Sequence, residues 1–239
     1  MNAIEEKRAP ETLGVLGGMG ALASAEFLRT IYEENVGAAE QDAPVVMLYS
    51  DPTFPDRTDA FLRGEAQLVN APLIEALNRL SQLGAKRIVM CCMTIHYLVP
   101  GLPAELKERI VSLMETIFDN VERDSRRYLM ICSTGTRRLG LFEEHARWNE
   151  VKDSIVFPDE QEQDTLHRII YRMKNGDSIP QMKSYIESLL DKYQLKSFIA
   201  GCSEIHLLSK QYPSPGESAE GYSCIDPLLI IARELGVRK

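Results

Sequence analysis

The sequence predicts an α/β protein of two similar lobes, each a parallel sheet flanked by helices. Three observations lead there. Short β-rich apolar runs alternate with longer stretches of helical period over 239 residues, the pattern of strands joined by crossover helices. Cys92-Met93-Thr94-Ile95-His96-Tyr97-Leu98 reappears 110 residues later as Cys202-Ser203-Glu204-Ile205-His206-Leu207-Leu208. Both read C-x-x-I-H-x-L after a short apolar strand. The turn Gly17-Gly18-Met19-Gly20 has a small-residue counterpart 116 residues on, at Ser133-Thr134-Gly135-Thr136. Two strand–turn units at nearly one offset indicate a duplicated plan with a pseudo-two-fold axis.

Taken in order, Thr12–Leu16 reads as a strand and Leu22–Asn35 as a helix, with Phe27, Leu28 and Ile31 spaced for one face. Pro44–Tyr49 is a second strand, followed by a loop over Asp51–Arg57. Leu68–Leu83 is a helix stopped by Gly84, and Arg87–Cys91 a third strand. The second half repeats the plan. Pro103–Arg123 reads as one helix, Tyr128–Cys132 as a strand, and Gln163–Lys174 and Ile179–Tyr193 as helices. Phe198–Ala200 is a buried strand, Tyr212–Tyr222 a loop, and Pro227–Leu235 a closing helix. The expected division is 1–100 plus 209–239 as the first subdomain and 101–208 as the second. Both are Rossmann-like, with the active site between the lobes.

Composition narrows the function. Net charge is −8, which argues against a nucleic-acid partner because phosphate binding needs a basic face. Individual arginines and lysines near a pocket therefore carry more information than the total. No apolar run approaches membrane-spanning length, and Met1–Pro10 is a polar lead-in without the apolar core of a secretory signal. Five cysteines, an odd number, suggest reduced thiols and a cytoplasmic protein.

Cys92 and Cys202 are the leading catalytic candidates. A lone cysteine is more often a packing residue, but two in duplicated contexts at strand ends are placed where open α/β sheets bind ligands. A thiol at a helix N-terminus meets free N–H groups that favour the thiolate. Two such thiols on opposite sides of a carbon could invert it. Cys91 falls on the opposite strand face, and Cys132 and Cys224 lack counterparts, so these three read as packing residues. His96 and His206 follow the two cysteines by four residues and could influence the thiols, bind a carboxylate, or simply pack. A metal site is disfavoured because no C-x-x-C pattern is present. His145 and His167 read as surface residues. The glycine turn does not match a dinucleotide fingerprint and reads as a turn that lets backbone approach a small anion. Arg57, in Pro55-Asp56-Arg57-Thr58, is the candidate for capturing a carboxylate. Lys174 would supply a second cation.

LGVLGGMG from Leu13, PDRT from Pro55, CMTIH from Cys92, STGT from Ser133 and GCSEI from Gly201 occur in an order that resembles the aspartate/glutamate racemase family, over about Leu13–Leu235. The resemblance implies two α/β subdomains around one site, no pyridoxal phosphate or other cofactor, no metal, and a homodimer. It makes Cys92 and Cys202 the two acid/base thiols. Met19, Thr94, Thr134 and Ser203 would contact the substrate carboxylate, Arg57 would face a carboxylate of an acidic amino acid, and Lys174 is carried over on a looser motif. Met93 stands where the family often has asparagine, Ser203 where it often has threonine, and Ala21 where it often has proline. Ser203 keeps the hydroxyl; Met93 lacks the amide, which bears on substrate preference and rate. The expected reaction is 1,1-proton transfer on aspartate or glutamate. The alternatives are a hydantoin racemase or maleate isomerase-like enzyme of the same fold, or an inactive relative that binds a small molecule.

Overall fold

Residues 13–17 and 128–132 are buried at every position, as central strands of sheets covered on both faces must be. The computed structural model describes residues 12–124, 126–217 and 221–235; the polar lead-in expected over Met1–Pro10 lies outside them. The first half runs β1 (Leu13–Gly17), α1 (Ala21–Glu34), β2 (Val46–Ser50), α2 (Arg57–Leu62), α3 (Gln67–Gln82), β3 (Arg87–Met90), α4 (Ala104–Lys107), β4 (Ile110–Val111) and α5 (Leu113–Glu122). The second half runs β5 (Tyr128–Cys132), α6 (Thr134–Arg138), α7 (Trp148–Val151), β6 (Ile155–Val156), α8 (Glu160–Met173) and α9 (Ile179–Lys192). It closes with β7 (Ser197–Gly201), α10 (His206–Ser209), β8 (Ser223–Ile225) and α11 (Pro227–Glu234).

The sheets are ordered β2-β1-β3-β4 and β6-β5-β7-β8, and every pairing is parallel. The expected pair of α/β halves is therefore present with one topology used twice. β3 and β7 occupy equivalent places, so Cys92 and Cys202 emerge from equivalent strand ends.

Strand alternation sorts side chains into three apolar layers. Val15, Val89, Tyr128, Met130 and Ile199 face a central layer built from Phe27 and Ile31 of α1, Ile117 and Phe118 of α5, and Leu228 and Ile231 of α11. On the outer face of the first sheet, Leu16, Ile88 and Met90 pack against Leu73, Leu77 and Leu80 of α3. On the outer face of the second, Leu129, Ile131 and Phe198 meet Ile170 of α8 and Ile186 and Leu190 of α9. Burying one such side chain stabilises by about 1.5–3 kcal/mol, so the central layer is a strong tie between the halves.

One expectation is corrected. The single helix expected over Pro103–Arg123 is broken into α4, β4 and α5. Ile88 N–H donates to Arg109 O at 2.7 Å and Ile110–Val111 pairs with Ile88–Val89, so sheet pairing overrides the helical pattern. Ser112 then restarts the helix by accepting from Glu115 N–H at 3.2 Å. β4 extends the first sheet and β8 the second. α11 returns to the first half, where it packs on α1 and α5, and α10 also packs on α1.

A buried polar network fixes that return. Asp226 caps α11 through Leu228 N–H at 2.9 Å and accepts from His206 Nδ1 at 2.5 Å and from Ser209 Oγ. His206 Nε2 lies 2.9 Å from Thr30 Oγ1 on α1. Burial opposes the Asp226 charge, but His206, Ser209 and the Leu228 N–H together hold its carboxyl below the usual value. Asp226→Asn is expected to cost about 3–5 kcal/mol, the range for breaking a buried pair. A carboxyl depressed in the fold contributes stability that is complete above its unfolded pKa of about 3.9 and is lost as pH falls through its lower native value. Melting temperatures of wild type and D226N should therefore differ by a constant amount at neutral pH and converge on acidification below that point.

Candidate active site

The loops at the carboxyl ends of β1, β3, β5 and β7 meet in one cleft between the halves. The turn after β1 depends on Gly18, whose φ is +92° and whose added Cβ would lie 2.2 Å from Asp51 O; no other residue fits. This sharp turn puts Met19 on the cleft wall. The loop after β2 supplies Asp56, which caps α2 by accepting from Asp59 N–H at 3.0 Å, and then Arg57 and Thr58. Close approach of α2 to α6 requires Gly135, since a Cβ there would sit 2.4 Å from Thr58 Oγ1.

Cys92 and Cys202 both line the cleft and are nearly equally buried, at 6% and 7% exposure. The helices expected behind them are short: Thr94–Gly101 and Ser203–Ile205 are 3-10 turns, the latter leading into α10. The expected favouring of the thiolate fails at Cys202. Its Sγ–H donates to Glu204 Oε2 at 2.8 Å, and burial followed by the Glu204 charge pushes the thiol well above its ordinary pKa. Cys91, Cys132 and Cys224 are buried and packed away from the cleft. Burial raises the pKa of all three, that of Cys132 to about 12.

The Arg57 side chain is buried and held rather than mobile. Nη1 donates to Pro55 O at 2.8 Å and Phe54 O at 3.4 Å, Nη2 to Met19 O at 3.2 Å, and Nε has no partner. Burial works against its charge, yet Cys92 and Asp56 more than offset this and raise its pKa. From the second half, Lys174 Nζ reaches within 3.7 Å of Asp56 Oδ2 and lies 3.9 Å from the centre of the Tyr171 ring. Tyr171 Oη contacts both Asp56 oxygens, at 2.8 and 2.7 Å. Burial opposes the Asp56 charge, but Asp59 N–H, Tyr171 and Lys174 keep its carboxyl below the usual value. Thr94 Oγ1 joins Ser133 Oγ at 3.2 Å and Thr136 Oγ1 at 2.9 Å, a second tie across the cleft.

Of the residues singled out in the sequence, Met19, Arg57, Cys92, Met93, Thr94, Lys174 and Cys202 line the cleft. Thr134 and Ser203 lie just behind it. Thr134 N–H donates to His167 Nδ1 at 3.3 Å, and Ser203 Oγ donates to Glu204 Oε2 at 3.2 Å. Neither histidine of the repeated C-x-x-I-H-x-L lines the cleft. His96 is buried, its pKa pushed by burial to about 4; as a neutral ring it donates from Nδ1 to Cys92 O at 3.0 Å and accepts Leu113 N–H at Nε2. His206 serves the Asp226 network. His167 is half-buried, its ring 4.2 Å from that of Tyr171.

Sequence reasoning missed Glu204, Asp56, Tyr171 and Ser133. Glu204 and Asp56 stood inside quoted motifs; Tyr171 could have been found from its i, i+3 spacing to Lys174 on α8. The cavity these side chains leave measures about 10 Å³, room for roughly one water. The cleft is closed around its own side chains.

The Asp/Glu/Hydantoin racemase family model matches residues 16–235. Among solved structures, the chain is similar to an aspartate racemase from Picrophilus torridus, with a TM-score of 0.76 and 21% identity, over 94% of this chain and 92% of that one. It is similar to a glutamate racemase from Bacillus anthracis at TM-score 0.60 and 14% identity, over 95% and 81% of the two chains. An allantoin racemase from Klebsiella pneumoniae gives 0.58 and 10%, over 94% and 86%.

Tyr171 and Asp56 form a half-buried clasp across the cleft, and a hydrogen bond to a charged group contributes at most about 1.5–3 kcal/mol. Tyr171→Phe is expected to leave the protein folded and to speed amide hydrogen exchange over residues 51–57. Unchanged exchange there would show that the clasp does not hold the loop.

Proposed function

Since the chain belongs to the Asp/Glu/Hydantoin racemase family, we propose that it inverts the α-carbon of an acidic amino acid, aspartate or glutamate, by a two-thiol 1,1-proton transfer without a cofactor. Family membership supports racemase activity in general. The choice of mechanism rests on one observation: equivalent strand ends of two like sheets bring two cysteines to the same cleft. Arg57 and Lys174 in that cleft support an anionic substrate.

One thiolate removes the Cα proton, and the electron pair of the broken C–H bond remains on the carbon as a carbanion delocalised into the carboxylate. The opposing thiol then delivers its proton to the other face. The protein ends with the thiol and thiolate exchanged and the carbon inverted. A free amino acid is a very weak carbon acid, so the developing negative charge needs fixed partners. Arg57 suits this task, because backbone carbonyls already hold its guanidinium and leave Nε for the ligand. A thiol/thiolate pair supplies general acid and base together. The closed cleft excludes water from the carbanion, and substrate enters when the Asp56–Tyr171 clasp opens. The same reading includes a cytoplasmic homodimer. Among the described residues no helix is long and apolar enough to cross a membrane.

The decisive assay follows optical inversion and Cα–H exchange in D₂O for both enantiomers of aspartate and glutamate, with amide and neutral amino acids, hydantoins and maleate as the comparison panel. Inversion of an acidic amino acid without added cofactor is the expected result. Absence of both inversion and exchange for aspartate and glutamate at high enzyme concentration rejects the reading. Cys92→Ala and Cys202→Ala should each lower two-way racemisation by about 10²–10⁴-fold, the usual contribution of a general acid or base. Full activity in either variant would sink the two-thiol mechanism. Arg57→Gln is expected to lower kcat and kcat/KM together, because the guanidinium meets charge that develops on the way to the carbanion.

A further inference from the structure

The two thiols share topology and burial but not electrostatic surroundings. Cys202 donates its S–H to Glu204 Oε2 at 2.8 Å. Glu204 is itself buried, at 2% exposure, and its Oε1 has no hydrogen-bond partner. Oε1 rests against Gly20, where an added Cβ would come within 2.7 Å of it. The glycine turn therefore makes room for a carboxylate as well as for a ligand. At the corresponding place after Cys92 stands Thr94, a hydroxyl without charge, and the cleft wall next to Cys92 carries the buried Arg57 guanidinium, whose Nε has no partner. One thiol thus faces a carboxylate and the other a guanidinium.

We propose that Glu204 polarises the thiol pair by holding Cys202 as the proton-bearing thiol of the resting protein, so that removal of the Cα proton falls first to Cys92. Glu204 acts as a positioning residue, working through the sulfur it holds. The proposal deepens the racemase reading and rests on it for the chemical role of the two thiols. Other charges agree in part: Lys174, from α8, works against Glu204 at Cys202 without overcoming it, while Asp56 and Glu204 join Cys92 in supporting the charge on Arg57.

The resting state then accepts first the enantiomer whose Cα–H faces Cys92. That proton passes to Cys92 Sγ and the Cys202 proton passes to carbon. The product state leaves a Cys202 thiolate beside the Glu204 carboxylate, a like-charge pair that favours resetting. The reset moves one proton from Cys92 to Cys202 through solvent and consumes nothing.

The two cysteines are almost equally buried as residues, so their reactivity toward a small neutral alkylating agent is compared at two pH values, where a difference in thiolate fraction changes the ratio and a difference in access does not. Wild-type protein exposed to substoichiometric iodoacetamide at the lower pH, near neutral, and mapped by mass spectrometry should carry label on Cys92 about tenfold or more ahead of Cys202, one pKa unit being tenfold in thiolate. Glu204→Gln should raise the Cys202 rate by about tenfold and move its rate–pH midpoint down by about one unit, with Cys92 little changed. Glu204→Asp, which keeps the charge, should restore the wild-type order, and the basic limb of the kcat/KM profile should shift downward in E204Q but not in E204D. Equal or faster labelling of Cys202 in wild type overturns the proposal, as does an unmoved Cys202 profile in a folded E204Q. If E204Q does not fold, the wild-type ratio at the two pH values decides. Labelling needs no turnover, so absent racemisation with an intact label order would reject the function and leave the polarised pair standing.

Discussion

Phe27, Phe118 and Ile231 lie in an apolar layer that both sheets use as one of their walls. That shared layer constrains everything else. Side chains alternate along each strand, so with Val89 and Cys91 committed to the layer, Ile88, Met90 and Cys92 must face outward. The same rule sends Ile199 inward and Phe198, Ala200 and Cys202 outward. With identical strand order in both sheets, the layer fixes the two halves so that equivalent strand ends face one cleft. A hinge made only of loops would not hold two sulfurs in a fixed relation.

Within this frame the cleft is electrically divided. Arg57 and Lys174 are set against Asp56 and Glu204, and most of these groups are already engaged with one another or with backbone. Asp56 alone meets both Lys174 and Tyr171 from the second half, so one carboxylate joins the charge pattern of the cleft to the clasp across it.

Much of this was legible in the sequence. Alternating strand and helix patterns predicted the fold class, and the repeated C-x-x-I-H-x-L pointed to two of five cysteines. Where the reading failed, the cause was long-range. Ile110–Val111 is too short for a period-2 signal, and it becomes a strand only because the edge of β3 is there to pair with. His96 and His206 have the spacing of helpers to the thiols, yet His96 is bound to backbone and His206 to Asp226 and Thr30. Helical spacing says that two residues share a face; it does not say what that face meets.

The sequence by itself determined a duplicated α/β plan, the two cysteines at matching strand ends and the Asp56-Arg57 loop, because these are written in local periodicity and in a repeat. The tertiary structure alone decided that Tyr171 reaches Asp56 across 115 residues of chain, and that Arg57 and Lys174 enter the same cleft. It also decided that the two thiols are unlike. Such distances depend on how whole layers pack, and a carboxylate two residues from a cysteine bears on its sulfur only if the backbone turn brings the groups together. Cys202 and Glu204 meet in that way at 2.8 Å.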